Sequence, residues 1–519
     1  MNDMPPRSAT RRRLGAILRT GLVGVFGVML LAGCSAGLSS GSKEVSSATS
    51  AAPTTAGEPT TTASSSGDSD TPARSDDDTE AGSNADQQGA EDQAALGIGD
   101  EYFPDSGNPG YDVTSYDLAF DMDDDLVTFE AVATIALRTT DELDELRFDL
   151  DGLTVAKATI DGDEVKHRRA GLDLVLTPDA PLPADEPVAV IVEYGGTPEP
   201  RGSDVLGELG WIGEPGEGSY VVSEPDGASN WFPANDHPSD KATFSFEITT
   251  PEGVEAVANG TRTGEDTAGG RTTWTWSPRD PMATYLATVA VGQYTFFENK
   301  GPGGIPLLSA VADGVVETSG KSTVEAALGQ LPGMMTLFAG RFGPYPFETY
   351  GVIIVDEPLG FALETQTRSL FGSDSWNEPV FQAHELAHQW YGDSVGIEAW
   401  EDIWLNEGFA TMGEWLWAES DGGTGGPPLS AGSSLDPPLD PGPDGLFDTS
   451  VYQRGGLTLK ALRGEVGDEA FFQIMKTWAT DNALGNATTE DLLDLIEQDG
   501  GAEARDLVEA WLTDPEPPK

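Results

Sequence analysis

The sequence contains very few cysteines, histidines and basic residues for its length. Of its 519 residues, one is cysteine and four are histidine. The single cysteine, Cys34, excludes an intramolecular disulfide and a catalytic or metal-binding thiol anywhere else in the chain. Lysine and arginine number 28 against 88 aspartates and glutamates, a formal net charge of -60. Such a charge repels phosphate backbones and anionic membrane surfaces, so we expect no nucleic-acid partner.

Long apolar runs are scarce, and the run Leu22–Leu31 near the N-terminus is too short to span a membrane. It follows an arginine-rich stretch and leads into Leu31-Ala-Gly-Cys34. This arrangement resembles a bacterial lipoprotein signal, which implies cleavage of residues 1–33 and lipidation of Cys34. We therefore expect an extracytoplasmic protein of the cell envelope that contacts the membrane only through its lipid anchor. The alternative is an ordinary cleaved signal followed by an incidental cysteine.

Large apolar residues are also almost missing from Ser35 to about Gly99, where Ser, Thr, Ala, Gly and Asp dominate. A segment of this composition cannot bury enough surface to offset the entropy lost on ordering. The sequence therefore predicts that residues 34–100 are a disordered tether.

From Tyr111 onward the apolar residues recur with a period close to two. Turn sequences such as Asp161-Gly162 and Asn259-Gly260 separate the resulting segments. This pattern predicts an antiparallel β domain over residues 101–301. The predicted strands include residues 111–120, 127–137, 188–194, 243–248 and 284–294.

The apolar period changes beyond about Gly301, and helical spacing then dominates to the end of the chain. One short apolar strand is expected at residues 351–356 within this region. The sequence therefore predicts a mixed but mainly helical second domain over residues 302–519. Its predicted helices cover residues 316–342, 379–392, 405–419, 451–466, 468–480, 489–498 and 503–512.

Two of the four histidines, His384 and His388, lie one helical turn apart in an H-E-x-x-H motif. This spacing lets both imidazoles reach one metal ion, while Glu385 can take a proton from a water at the open metal position. Eighteen residues separate His388 from Glu407, which a second helix could bring back as a carboxylate ligand. Two histidines and one glutamate form a catalytic zinc pattern, so we expect one Zn²⁺ per chain.

Four segments extend this pattern well beyond the metal motif. They are His384-Glu-Leu-Ala-His-Gln-Trp-Tyr-Gly392, Trp400-Glu-Asp-Ile-Trp-Leu-Asn-Glu-Gly-Phe-Ala410, Phe342-Gly-Pro-Tyr-Pro-Phe347 and Trp231-Phe-Pro-Ala-Asn-Asp-His-Pro-Ser-Asp-Lys-Ala242. Together they resemble the aminopeptidase N family of gluzincins, which includes alanyl and leucyl aminopeptidases and leukotriene hydrolase. The resemblance covers roughly residues 101–512. It implies an N-terminal antiparallel β-sandwich or saddle domain, followed by a thermolysin-like, mainly α-helical catalytic domain.

The family resemblance also implies how a free N-terminus is recognised. Phe361-Ala-Leu-Glu-Thr365 is similar to the family's G-A-M-E-N segment, with Glu364 as a ligand of the substrate's α-amine. Glu224-Pro-Asp-Gly-Ala228 is similar to the second amine-binding element, with Glu224 as the other ligand. An α-amine has a pKa of about 7.7 to 8.0 and is largely cationic at neutral pH, so paired carboxylates attract it. The expected substrates are peptides with free N-termini.

The G-A-M-E-N-like segment departs from the family pattern at three positions. Phe361, Leu363 and Thr365 replace Gly, Met and Asn respectively. These replacements change the wall of the substrate pocket without removing the charged group.

Tyr452, in Val451-Tyr-Gln-Arg-Gly455, is similar to the family tyrosine that donates a hydrogen bond to the tetrahedral oxyanion. A phenol suits that role because it stays neutral near pH 7. The alternative for Tyr452 is a core residue on an amphipathic helix.

Two other functions are consistent with the metal motif alone. The first is a thermolysin-like endopeptidase that cuts internal peptide bonds. The second is a non-catalytic surface lipoprotein in which the zinc site is only structural. The two remaining histidines, His167 and His237, are not expected to bind metal, since they lie beside two arginines and in a Pro/Asp loop respectively.

Overall fold

The computed structural model describes residues 97–203 and 206–518. The predicted signal segment 1–33, Cys34 and most of the predicted tether 34–100 lie outside the described residues. Among the helices that are described, none has the length and apolarity needed to cross a membrane.

An eight-stranded sheet dominates the N-terminal part of the described chain. The first strand, Tyr111–Met122, buries alternate side chains, as its period-two sequence predicts. Neighbouring strands run antiparallel except for Tyr111–Met122 and Thr243–Pro251, which pair in parallel. In spatial order the strands are Thr261–Ala268, Arg271–Ser277, Thr243–Pro251, Tyr111–Met122, Phe129–Thr139, Pro187–Gly196, Thr154–Ile160 and Asp163–Glu164.

Two smaller sheets complete the β-rich part. Aromatic side chains fill the space between the large sheet and the five-stranded sheet, where the ring of Trp211 lies 5.0 Å from that of Phe129. Rings in this range contribute both apolar burial and favourable edge contacts. The five-stranded sheet comprises Glu255–Ala258, Val289–Gly292, Gly218–Val222, Gly207–Glu214 and Arg201–Ser203, and the three-stranded sheet comprises Leu146–Asp149, Asp173–Thr177 and Lys166–Ala170.

The predicted strand at residues 284–294 is wrong. Thr284–Leu286 forms a short 3-10 turn, and two separate strands, Val289–Gly292 and Tyr294–Lys300, follow it. Residues 284–292 are all buried, so the apolar pattern that suggests one strand there reflects burial on every side.

A second five-stranded sheet lies in the C-terminal part, with the strand order Tyr294–Lys300, Pro306–Ala312, Val352–Ile354, Ser369–Phe371 and Ala362–Leu363. Its first two strands form a hairpin that spans the predicted boundary between residues 301 and 302. Ala362–Leu363 lies at the edge of this sheet and leads directly into Glu364. A short parallel pair, Gly396–Ile397 with Asn486–Ala487, is separate from it.

Helices make up most of the remaining C-terminal part, so the predicted order of a β-rich domain and a mainly helical domain is confirmed. The predicted helix at 379–392 ends early, at His388, and is followed by a tight turn in which Gly392 adopts a positive φ of 127°. The α-helices are Asp313–Ser319, Lys321–Leu328, Leu331–Phe342, Pro379–His388, Trp404–Ser420, Gly455–Asp481 with a kink at Gly467, Thr489–Gly500 and Ala502–Thr513.

Candidate active site

The helix Pro379–His388, called here the motif helix, presents His384 and His388 on one buried face. A proline at its first turn favours the helix start, and the four-residue spacing places the two imidazole centroids 4.7 Å apart. Directly after it, Gly392 leaves space that a side chain would take up, since a Cβ there would lie 3.2 Å from His388 Nδ1. The sharp turn at Gly392 therefore keeps this imidazole unobstructed.

Hydrogen bonds fix the orientation of both imidazoles. His388 Nδ1 lies 3.2 Å from the carbonyl oxygen of Tyr391, and His384 Nδ1 lies 2.8 Å from Glu414 Oε1. A carbonyl oxygen can only accept, so His388 carries its proton on Nδ1 and presents the lone pair of Nε2. A carboxylate or carbonyl behind a histidine is the usual arrangement at a metal site.

The helix Trp404–Ser420, called here the glutamate helix, supplies Glu407 from its first turn. Glu407 Oε2 lies 3.0 Å from His384 Nε2 and 3.5 Å from His388 Nε2. All three side chains are buried, and their ligand atoms lie within 4.8 Å of one another. Two imidazole nitrogens and one carboxylate that converge in this way fit a zinc ion with an open coordination position.

Glu385 follows His384 on the motif helix, and its carboxylate lies beside the same cluster. Ligand atoms of Glu385, Glu364 and His388 lie within 4.8 Å of one another. Burial raises the pKa of Glu385 to about 8. A divalent cation bound nearby opposes such a shift, because it favours the ionised carboxylate. Glu385 is therefore within reach of a water at the open metal position and can exchange a proton with it.

Glu224 and Glu364 come from different parts of the fold and meet beside Glu407. Glu224 follows the strand Gly218–Val222, and ligand atoms of the three glutamates lie within 4.8 Å of one another. Among the described residues, Oε1 of Glu224 and Oε1 of Glu364 are buried without a hydrogen-bond partner. Burial raises the pKa of both carboxyls, and repulsion by Glu364 adds to the effect at Glu224. A cationic ligand between them would supply the missing partners.

Tyr452 lies in a π-helical turn, Ser450–Arg454, immediately before the helix Gly455–Asp481. Its ring stacks on the His384 imidazole, with centroids 5.8 Å apart and planes inclined by 24°. Burial raises the pKa of the Tyr452 phenol well above its ordinary value, so the group stays protonated and able to donate. π-Helical turns of this kind occur often at functional sites.

The structure thus brings together the predicted metal, proton-transfer, amine-binding and tyrosine residues. The two histidines excluded from the prediction lie elsewhere. His167 is exposed, whereas His237 is buried, with its ring nitrogens 2.7 Å from Ser239 Oγ and 3.2 Å from Asp100 Oδ2.

Sequence reasoning missed Glu414 and Lys241. Glu414 lies seven residues after Glu407 on the same helix face, a spacing that could have identified it in a chain with fewer acidic residues. Lys241 belongs to the segment 231–242, and its Nζ donates to the carbonyl oxygens of Asp393, Ser394 and Gly485. It therefore ties the turn after the motif helix to the β-rich part.

Comparison with known proteins points the same way as this geometry. Residues 113–286 match the Peptidase M1 N-terminal domain, and residues 330–426 match the Peptidase family M1 domain. Aminopeptidase N of Streptomyces lividans is 25% identical over 77% of this chain and 50% of its own length. Aminopeptidase M1-B of Oryza sativa is 26% identical over 76% of this chain and 49% of its own length. The chain spans about half the length of these curated relatives.

Solved structures give a match over almost the whole length of the neighbour. The M1 zinc metallopeptidase of Deinococcus radiodurans is 32% identical, with a TM-score of 0.75 over 82% of this chain and 98% of that one. A variant of the Deinococcus enzyme was solved bound to a Tyr-Ser-Ala substrate, with the same identity and TM-score over 82% and 99%. The zinc ion predicted from the H-E-x-x-H motif is the metal in the names of these neighbours. Fold, sequence and site geometry agree, and the chain belongs to peptidase family M1.

Proposed function

We propose that this chain is a zinc-dependent aminopeptidase that removes N-terminal residues from peptides. The observation that carries the proposal is the buried pair Glu224 and Glu364, each with an unpartnered carboxylate oxygen beside the metal ligands. An endopeptidase needs no buried acidic pair at this position, whereas a cationic α-amine would satisfy both carboxylates at once. The Tyr-Ser-Ala substrate of the Deinococcus relative, a short peptide, supports the same substrate class.

The chemistry divides among a few side chains. Held by His384, His388 and Glu407, zinc would supply Lewis-acid polarisation of the scissile carbonyl and a water of lowered pKa. Glu385 takes the proton of the attacking water and passes it to the leaving amine. The neutral Tyr452 phenol donates a hydrogen bond to the oxyanion that develops on the carbonyl oxygen.

Register is set by the two amine-binding glutamates. When Glu224 and Glu364 hold the α-amine, the first peptide bond is the bond within reach of Glu385. A substrate whose N-terminus is acetylated presents no cation to the pair, and the carboxylates stay buried without a partner. Discrimination against blocked peptides therefore follows from the cost of leaving these charges unpaired.

The test compares a short peptide with a free N-terminus and its N-acetylated counterpart, with and without a chelator. We expect chelator-sensitive release of the first residue from the free peptide only. Glu364→Gln is expected to raise KM for the free peptide about 10- to 100-fold, as loss of a hydrogen bond to a charged group does. Glu357→Gln, an exposed change shortly before the same edge strand, is the matched control.

Three outcomes contradict the proposal. Equal cleavage of free and acetylated peptides, or internal cuts that survive Glu364→Ala, would indicate a thermolysin-like endopeptidase. If Glu385→Gln left hydrolysis and every other measured property unchanged, the zinc site would be only structural.

We also propose that the protein acts outside the cytoplasmic membrane, anchored by a lipid on Cys34. The support is the arginine-rich segment, the apolar run and the small residues before this cysteine. Metabolic labelling with a radioactive fatty acid tests it, since Cys34→Ala should abolish labelling and release the protein from the membrane fraction. Labelling that persists in Cys34→Ala contradicts the anchor.

A further inference from the structure

Gln389 follows the metal-directed His388 in sequence and is completely buried. Its side-chain amide contacts the backbone at both ends of the segment Glu364–Thr367. Nε2 donates to the backbone oxygen of Glu364 at 2.9 Å, and Oε1 accepts from the backbone N–H of Thr367 at 2.8 Å. Oε1 also accepts from the Tyr345 hydroxyl at 3.3 Å. One side chain of the metal-binding region therefore holds the segment that carries the proposed amine ligand.

That segment contains an unusual backbone conformation. Thr367 has a φ of 66°, in the left-handed region that a β-branched residue rarely occupies. A turn closes around it, because Arg368 N donates to the Thr365 carbonyl oxygen at 2.9 Å and Thr365 Oγ1 donates to the Arg368 carbonyl oxygen at 2.5 Å. Such a residue persists only when its surroundings impose the conformation, and it is often found at functional sites.

The β-rich part of the molecule holds the other side of this turn. Gly260 N donates to Thr367 Oγ1 at 2.7 Å, and Asn259 Nδ2 donates to the Gln366 carbonyl oxygen at 2.7 Å. Asn259 is itself fixed, since its Oδ1 accepts from Thr288 N at 2.7 Å. Gly260 cannot carry a side chain, because a Cβ there would lie 2.2 Å from the Pro278 nitrogen. The turn is therefore held between the Asn259-Gly260 loop and Gln389.

The carboxylate of Glu364 depends on this grip. Its Oε1 has no hydrogen-bond partner among the described residues, so that atom is not held by contacts of its own. The position of the charge follows from the position of the backbone at Glu364, and Gln389 contacts that backbone directly. Misplacing a binding group by about 1 Å can cost about 100-fold in rate.

We propose that Gln389 is a positioning residue that aims the Glu364 carboxylate at the substrate amine by holding the left-handed turn at Thr367. The inference rests on the proposed aminopeptidase function. It assigns to Gln389 an effect on recognition of the free N-terminus, separate from metal binding and from proton transfer.

Gln389→Met removes both amide hydrogen bonds at nearly constant side-chain volume. For a short peptide with a free N-terminus, we expect KM to rise about 10-fold while kcat changes much less. Zinc content should stay at one ion per chain. Gln382→Met is the matched control, because Gln382 is buried on the motif helix shortly before Gln389 but donates to the Trp376 carbonyl oxygen, away from the turn.

A rescue variant separates positioning from general stability. Asparagine adopts positive φ more readily than a β-branched residue and keeps a side-chain oxygen for the Gly260 N–H, so Thr367→Asn in the Gln389→Met background lets the turn form without Gln389. We expect this second change to reverse at least part of the rise in KM. Should Gln389→Met fail to fold, Gln389→Glu keeps an acceptor for the Thr367 N–H but sets an oxygen against the Glu364 carbonyl oxygen, so KM is again expected to rise.

An unchanged KM for the free peptide in Gln389→Met would overturn the inference. So would a fall in kcat together with loss of zinc and no recovery by Thr367→Asn. These results differ from failure of the proposed function, in which the unmodified protein itself cleaves free and acetylated peptides equally well.

Discussion

The metal-binding side of the site is built from neighbouring segments, whereas the side that faces the substrate amine is built from distant ones. His384, His388 and Glu407, the metal side, come from two consecutive helices. Glu224 and Glu364, the amine side, come from loops after strands in two different sheets. On the metal side each histidine has a hydrogen-bond partner behind it. On the amine side one oxygen of each carboxylate has none within the described residues.

This difference indicates two kinds of preorganisation. The metal side satisfies its own polar groups through hydrogen bonds between its two helices and to the turn after the first, so its geometry is set by neighbouring segments. The amine side keeps buried charge without a partner, and the surrounding fold must hold it in place. Substrate recognition should therefore be more sensitive than metal binding to changes in the contacts between the two parts of the fold.

The largest effect is expected from Glu385, which belongs to neither side and transfers the proton in the reaction. Glu385→Gln removes the proton acceptor but preserves the shape of the residue, so kcat should fall by about 10³-fold. KM for the free peptide and zinc content should stay close to those of the unmodified protein, measured by steady-state kinetics and metal analysis. Glu378→Gln, an exposed change at the start of the same helix, is the control. A large rise in KM would show that the proton acceptor also binds the amine.

A smaller effect is expected when the metal side loses one of its supports. Glu414→Gln weakens the hydrogen bond to His384 Nδ1, and loss of such a partner typically lowers metal affinity about 10- to 100-fold. Competition with a chelator measures that affinity. Glu419→Gln on the same helix removes only an exposed ion pair with Arg463 and should leave zinc binding unchanged. If Glu414→Gln changed KM instead of zinc affinity, the two sides would not be separable as described.

The metal side was predictable because its geometry is local. A helix of H-E-x-x-H sequence places His384 and His388 on one face whatever surrounds it. Glu364 and Glu224 could be identified only by resemblance to a family, since nothing in the sequence between them shows that they meet. The hydrogen bonds of Gln389 and Asn259 to the same turn depend on tertiary packing and leave no periodic signal.

The fold was predictable to a similar extent. Alternating strands such as Tyr111–Met122 were predictable from period two, whereas the parallel pairing of this strand with Thr243–Pro251 was not. The segment 284–292 is buried on all sides, so its sequence carries no alternation that would separate a turn from a strand.

The smallest effect on the site is expected from Asp100, which contacts the 3-10 turn Trp400–Asp402 just before the glutamate helix. Asp100 Oδ2 accepts from Trp400 N at 3.1 Å and lies 3.2 Å from His237 Nε2. Burial alone would raise the pKa of Asp100, but hydrogen bonds from His237 and from backbone N–H groups more than offset it and lower the pKa to about 2. The ionised form is thus favoured in the folded protein.

Because its pKa in the folded state lies below the unfolded value of 3.8, Asp100 stabilises the fold above that pH, and the effect is lost as pH falls toward 2. Asp100→Asn should therefore lower the free energy of unfolding by about 2 kcal/mol at pH 7, and the difference should shrink as pH falls below about 4. Urea denaturation at pH 7, 5 and about 3.5 measures it, with the exposed Asp105→Asn as control. If this difference in the free energy of unfolding did not depend on pH, the loss of stability would come from the shape of the asparagine amide and not from the missing charge. If zinc affinity fell as well, the metal side would depend on distant contacts as the amine side does.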